Sequence, residues 1–126
     1  MKKRVISTPF APKAVGPYSQ AVEKNGILFV SGQLPIDPLT GEFPASGAFE
    51  CFDQIFKNIK AILEEAGYDF QDVVKTTVFL TDMNDFADLN EVYSLYFDEP
   101  YPARAAFAVK ELPKGARAEA EVIAIK

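Results

Sequence analysis

The strongest constraint on what this chain can fold into is a change of hydrophobic period at Gly67. Before it, Phe52, Ile55, Phe56, Ile59, Ile62, Leu63 and Ala66 recur at three- and four-residue steps, the spacing of one face of an α-helix. Gly67 stands where that helix ends, free to take the left-handed conformation that closes a last turn. After it, Val73 to Leu80 is β-branched and aromatic. Val74, Thr76, Val78 and Leu80 fall on one side and Val73, Lys75, Thr77 and Phe79 on the other, the alternation of a central strand. A helix directly followed by such a strand makes the fold mixed.

The flanking segments extend the pattern. An irregular opening marked by Pro9, Pro12 and Pro17 leads to residues 21–23 and 27–31, which flank Asn25-Gly26, a dipeptide suited to a tight type I′ hairpin. Gly32-Gln33-Leu34-Pro35 ends the second strand, Asp37-Pro38-Leu39-Thr40-Gly41 has the composition of a turn, and a long loop runs to about Gly47. Thr81 or Asp82 can cap a second helix carrying the stripe Phe86, Leu89, Asn90, Tyr93 and Phe97, whose polar member is Asn90. Strands at about 104–109 and 118–125 are separated by the turn Leu112-Pro113-Lys114-Gly115. The expected fold is α+β over residues 1–126 as a single domain, with two helices on one face of a sheet.

Two helices leave the other face bare. In the last strand Ala118, Ala120, Val122 and Ala124 form a small-residue side suited to close helix packing, while Glu119, Glu121, Ile123 and Ile125 point the opposite way. That second side is too apolar to stay wet, so self-association is the simplest cover, and a long loop folded over it is the alternative.

Composition narrows the chemistry. With no His, the chain cannot run Ser-His-Asp or Cys-His catalysis or hold His-ligated zinc, and its single cysteine, Cys51, excludes an internal disulfide and Cys-x-x-Cys metal sites. No metal site is expected. A net charge of -5 opposes nucleic acid and anionic membranes as partners. Ser7, Thr8, Pro9 and Pro12 interrupt any apolar segment after Lys2-Lys3-Arg4, and no stretch approaches a membrane span, so a cytoplasmic location is expected.

Arg104 is the one charge in a strand of small apolar residues and is expected to be partly buried, which demands a partner. Two partners are open: Glu119 or Glu121 on a neighbouring strand, as a structural ion pair, or the carboxylate of a substrate held in the guanidinium fork. Desolvation would push the Glu119 carboxyl up toward the range useful for proton transfer, whereas a nearby Arg104 would push it down. Glu121 has the same parity, so spacing does not choose between them. Gly32 is either an ordinary turn residue or a backbone amide open to an anion. Tyr18 is an aromatic in a polar loop, and Cys51 reads as a small helical hydrophobe.

Gly16-Pro17-Tyr18-Ser19-Gln20-Ala21, Ser31-Gly32-Gln33, Asp37-Pro38-Leu39-Thr40-Gly41, Val73-Val74-Lys75-Thr76-Thr77-Val78-Phe79-Leu80, Asn90-Glu91-Val92-Tyr93, Pro102-Ala103-Arg104 and Leu112-Pro113-Lys114-Gly115 occur in this order nearly end to end. Together they resemble the Rid (YjgF) family of imine/enamine deaminases. The resemblance implies a chorismate-mutase-like (ferredoxin-like) mixed sheet, a homotrimer with sites between subunits, and cofactor-free hydrolysis of small 2-imino acids to 2-keto acids. It also implies roles: Arg104 for the substrate carboxylate, assisted by the backbone around Gly32; Glu119 for the hydrolytic water; Tyr18, Ser31 and Asn90 for the pocket. Ala105 and Ala106 stand where many deaminase members carry a hydroxyl residue and a Cys, and Ala106 suffices if that position supplies only its backbone carbonyl.

Overall fold

The computed structural model describes residues 2–126. Strands β1 (Arg4–Ile6), β2 (Ala21–Lys24) and β3 (Ile27–Gln33) are followed by α1 (Ala48–Ala66), β4 (Val73–Leu80), α2 (Phe86–Tyr96), β5 (Ala103–Ala108) and β6 (Ala118–Ile125). They form one six-stranded sheet in the order β1-β2-β3-β6-β4-β5. Only β4 and β5 run parallel; the other neighbouring pairs are antiparallel. Parallel strands cannot be joined by a tight turn, and α2 supplies the crossover.

The local signals act as expected. Asn25 and Gly26 take φ of 54° and 77°, as a two-residue type I′ turn requires, and Lys24 pairs with Ile27 across it. Gly67 takes φ 83°, and the Gly67 and Tyr68 amides donate to the Glu64 and Leu63 carbonyls at the end of α1.

Two expectations need correction. The opening is not wholly irregular, because Arg4–Ile6 pairs with β2. Arg4 Nε donates to Glu23 Oε1 at 3.0 Å and Nη2 to the Ala66 carbonyl at 2.9 Å, which ties this short edge strand to the end of α1. In β4, Val73 is buried and Val74 exposed, the reverse of strict alternation from Leu80. The register against β6 shifts between Val73 and Lys75, and such an irregularity moves one residue across to the other face.

Ala118, Ala120, Val122 and Ala124 are all buried, and their small side chains let Ile55, Phe56, Ile59, Ile62 and Leu63 of α1 lie close to the sheet. On the opposite face Phe29 and Phe107 are 46% exposed and Ile125 45%, and the Phe79 and Phe107 rings meet edge to face at 5.4 Å. The loop after β3 does not cover this face. Asn58 of α1 donates to the Leu34 and Ile36 carbonyls at 3.1 and 3.0 Å, holding that segment on the helix side.

Candidate active site

A bulge builds the first half of the site. Val30 pairs with Val122 and Gln33 with Ala120, so Ser31 and Gly32 together oppose the single residue Glu121. At the bulge the Glu119 carboxyl lies against the Gly32 backbone. A Cβ on residue 32 would stand 2.9 Å from Glu119 Cδ and collide with Oε2, so the close approach needs glycine. Burial, reinforced by the neighbouring Glu121 carboxylate, pushes the Glu119 carboxyl up from its ordinary value.

Hydrogen bonds hold the wall of this half. Ser31 Oγ donates to the Ser19 carbonyl at 2.6 Å and its amide to the Gln20 carbonyl at 2.9 Å, fixing the loop that carries Tyr18. The buried Gln20 side chain accepts from the Thr8 amide at 2.7 Å and donates to the Thr8 and Pro12 carbonyls at 3.0 and 2.8 Å. Its one carbonyl and one amino group thus organise the backbone from Thr8 to Pro12. The result is a cavity of about 490 Å³ with Tyr18, Ser31, Gly32 and Glu119 in its lining.

The β4–α2–β5 crossover builds the second half. Arg104 pairs with Thr76 in the parallel ladder, and its Nη1 donates to Asn90 Oδ1 on α2 at 2.9 Å. The guanidinium carbon lies 4.8 Å from the centre of the Tyr93 ring and 5.3 Å from that of Phe86, within range of a cation–π attraction. Tyr93 is itself held by a 2.9 Å hydrogen bond with Thr76, and Arg117 grips Asp85 through two 3.1 Å bonds at the start of α2. Asn90, Tyr93, Ser94, Tyr101, Pro102 and Arg104 line a shallow cleft of about 350 Å³.

Arg104 is exposed, not partly buried, because β5 is the sheet edge and its alanines leave the side chain uncovered. Among the described residues it makes no ion pair with Glu119 or Glu121. Asn90 neutralises none of its charge, so most of its N–H donors stay free for an anion. The two halves also lie on opposite faces. Phe79 pairs with both Glu119 and Phe107, which places those residues on the open face, and Arg104, three positions before Phe107, turns toward α2. One chain therefore does not bring Arg104 and Glu119 together. Ala106 shares the Arg104 side and packs against the core, outside the linings of both cavities.

Several contributors were not singled out from the sequence: Gln20, the Phe86 and Tyr93 rings, and Lys13 and Lys114, which line the Glu119 cavity. A larger cavity of about 620 Å³ beside Phe70 and Tyr96 carries Asp69, Asp98 and Glu99 and no cation, which disfavours an anionic ligand there. No cluster of metal-ligating side chains occurs among the described residues.

Residues 8–126 match the family described as Endoribonuclease L-PSP. The RutC family protein y4sK of Sinorhizobium fredii is 58% identical over 118 residues, 94% of each chain. A human protein named 2-iminobutanoate/2-iminopropanoate deaminase is 51% identical over 124 residues, 98% of this chain and 90% of its own. The crystal structure of RidA from an Antarctic Psychrobacter aligns with a TM-score of 0.93 at 50% identity, covering 98% of this chain and 99% of that one.

Proposed function

The chain belongs to the Endoribonuclease L-PSP family, that of the Rid, YjgF and RutC proteins, and from that premise we propose that it hydrolyses reactive 2-imino and 2-amino-enoic acids to 2-keto acids and ammonia. The observation that carries this reading is the division of the site. An exposed, unneutralised guanidinium stands on one side of the sheet and a desolvated carboxyl on the other, so a second copy must supply the missing half. The uncovered apolar face bearing Phe29, Phe107 and Ile125 supports the same association, which we take to be a homotrimer.

In such a site the neighbour's Arg104 holds the substrate carboxylate in its planar fork. Tyr18, Ser31 and the Gly32 backbone shape the wall, and Asn90 and Tyr93 orient the guanidinium. Glu119 takes a proton from water as the water oxygen bonds to the imine carbon. It then returns that proton to the amino nitrogen, and as the C–N bond breaks the carbinolamine hydroxyl gives its own proton to the carboxylate, so a protonated imine and water become ketone, ammonia and one proton released to solvent. An enamine first becomes the imine by protonation at its terminal carbon. Burial, which raises the Glu119 carboxyl above its ordinary value, makes it a better proton acceptor than an exposed carboxylate, and a protonated imine is electrophilic enough that no bound cofactor is needed.

The family's description names an endoribonuclease, and a net charge of -5 with no His argues against RNA as the substrate. Ammonia release from freshly generated 2-iminobutyrate is the test. A rate well above buffer supports the deaminase, whereas binding of 2-oxobutyrate with no rate above buffer makes the protein a carboxylate sensor.

A further inference from the structure

The Glu119 cavity holds two cations that the hydrolysis does not use. Lys13 and Lys114 line it, and neither makes an ion pair among the described residues, although the chain carries 18 acidic residues. Lys13 comes from the stretch next to the Pro12 carbonyl that Gln20 anchors, so its backbone is held at the cavity wall. Lys114 takes φ 58°, ψ 21° as the third residue of the Leu112–Gly115 turn, which the Gly115 amide closes on the Leu112 carbonyl at 3.2 Å, and its side chain borders the cavity. Glu119 is the one carboxylate in the lining, against these two ammonium groups. Pro12, Val15 and Ile36 supply apolar wall between the polar groups.

We propose that Lys13 and Lys114 receive a second acidic group of the substrate, so that the enzyme favours 2-imino acids whose side chain ends in a carboxylate. The inference rests on the reading above, in which the neighbour's Arg104 takes the first carboxylate. With that group satisfied, a substrate bearing one charge leaves both lysines unpaired, and one bearing two charges complements the cavity. The reaction must then be fed by chemistry that generates imines of dicarboxylic amino acids.

The test compares two keto acids, 2-oxobutyrate and 2-oxoglutarate, by calorimetry on the intact oligomer. The dicarboxylate is expected to bind at least about tenfold more tightly, about 1.4 kcal/mol. In Lys13→Ala/Lys114→Ala the ratio of the two affinities should fall to within about twofold, and in the unaltered protein it should shrink as salt rises, because both lysines are exposed. Equal affinities, or a dicarboxylate preference that persists in the double variant, would overturn the proposal. Ammonia release from 2-iminobutyrate is measured on the same samples. A protein that prefers 2-oxoglutarate through the lysines yet releases no ammonia keeps this inference and loses the deaminase reading. One that releases ammonia without the preference does the reverse, and one that binds neither keto acid and releases no ammonia overturns both.

Discussion

The two faces of the sheet are built from the same alternating strands and meet opposite fates. On the helix face Ala118, Ala120, Val122, Val78 and Leu80 are completely or almost completely buried under α1 and α2, so that side is finished within one chain. On the open face Phe29, Phe107 and Ile125 stay about half exposed beside two carboxylates, Glu119 and Glu121. The half-sites differ in the same way. Arg104 is positioned by side chains of its own subunit, through Asn90, Tyr93 and Phe86, whereas Glu119 is desolvated and makes no ion pair among the described residues. The difference teaches that one face supplies stability and the other is left unfinished, and that the unfinished one holds the carboxyl proposed for proton transfer.

Breaking the open face has the largest expected effect. Ile123→Asp or Phe107→Asp should convert the proposed trimer to monomer in light scattering and take deaminase activity to background, because no copy then completes a site. A monomer with full activity would refute the division of labour. Glu119→Gln keeps size and hydrogen bonding but cannot exchange a proton, so turnover should fall by about 10²- to 10⁴-fold while keto-acid binding persists. Arg104→Lys keeps charge but loses the fork, and kcat/KM should drop about 10²-fold, close to 3 kcal/mol.

A smaller effect sharpens the electrostatic side of the comparison. Glu119 has a folded-state pKa above its ordinary 4.5, so below that value it is neutral in both states and has no effect on stability. As pH rises through the interval up to the shifted value, ionisation in the folded chain becomes unfavourable and stability is lost. In a monomeric variant, Glu119→Gln should therefore raise Tm at pH 7 by about 2 °C and leave it unchanged at pH 3.5, read by calorimetry or circular dichroism. In the proposed trimer, where the neighbour's Arg104 would face the carboxylate, the gain should be smaller. The smallest effect belongs to Cys51, which is buried and whose thiol is pushed up by that burial: Cys51→Ser should change the deamination rate by less than about twofold.

What was legible in the sequence was local. The Asn25-Gly26 turn, the Gly67 helix end and the β-branched run of β4 each carry their conformation in adjacent residues, and each formed as read. What was hidden depended on pairing across the sheet. Strand β1 is three residues long, and the register shift that turns Val74 outward is set by β6 rather than by β4 itself. Glu119 and Glu121 share parity, so no spacing separates them. The Ser31-Gly32 bulge sets Glu119 against Gly32, and burial of its carboxyl follows. Phe86, Asn90 and Tyr93 stand at i, i+4 and i+7 on α2, and the one polar member of that stripe was the visible trace of an arginine seat. Gln20, Lys13 and Lys114 left no comparable trace, because their neighbours come from distant parts of the chain.

Subunit mixing tests the central claim, that one copy lends Arg104 and another Glu119. Arg104→Ala and Glu119→Gln proteins, each inactive alone, are combined in equal amounts, unfolded in mild denaturant and reassembled, with mass spectrometry confirming mixed oligomers. If each site spans two copies, random mixing leaves about a quarter of sites with both residues intact, and close to that fraction of unmodified activity should return. Activity that stays at the level of the separate variants in confirmed mixed oligomers would place both residues in one subunit's site and contradict the account.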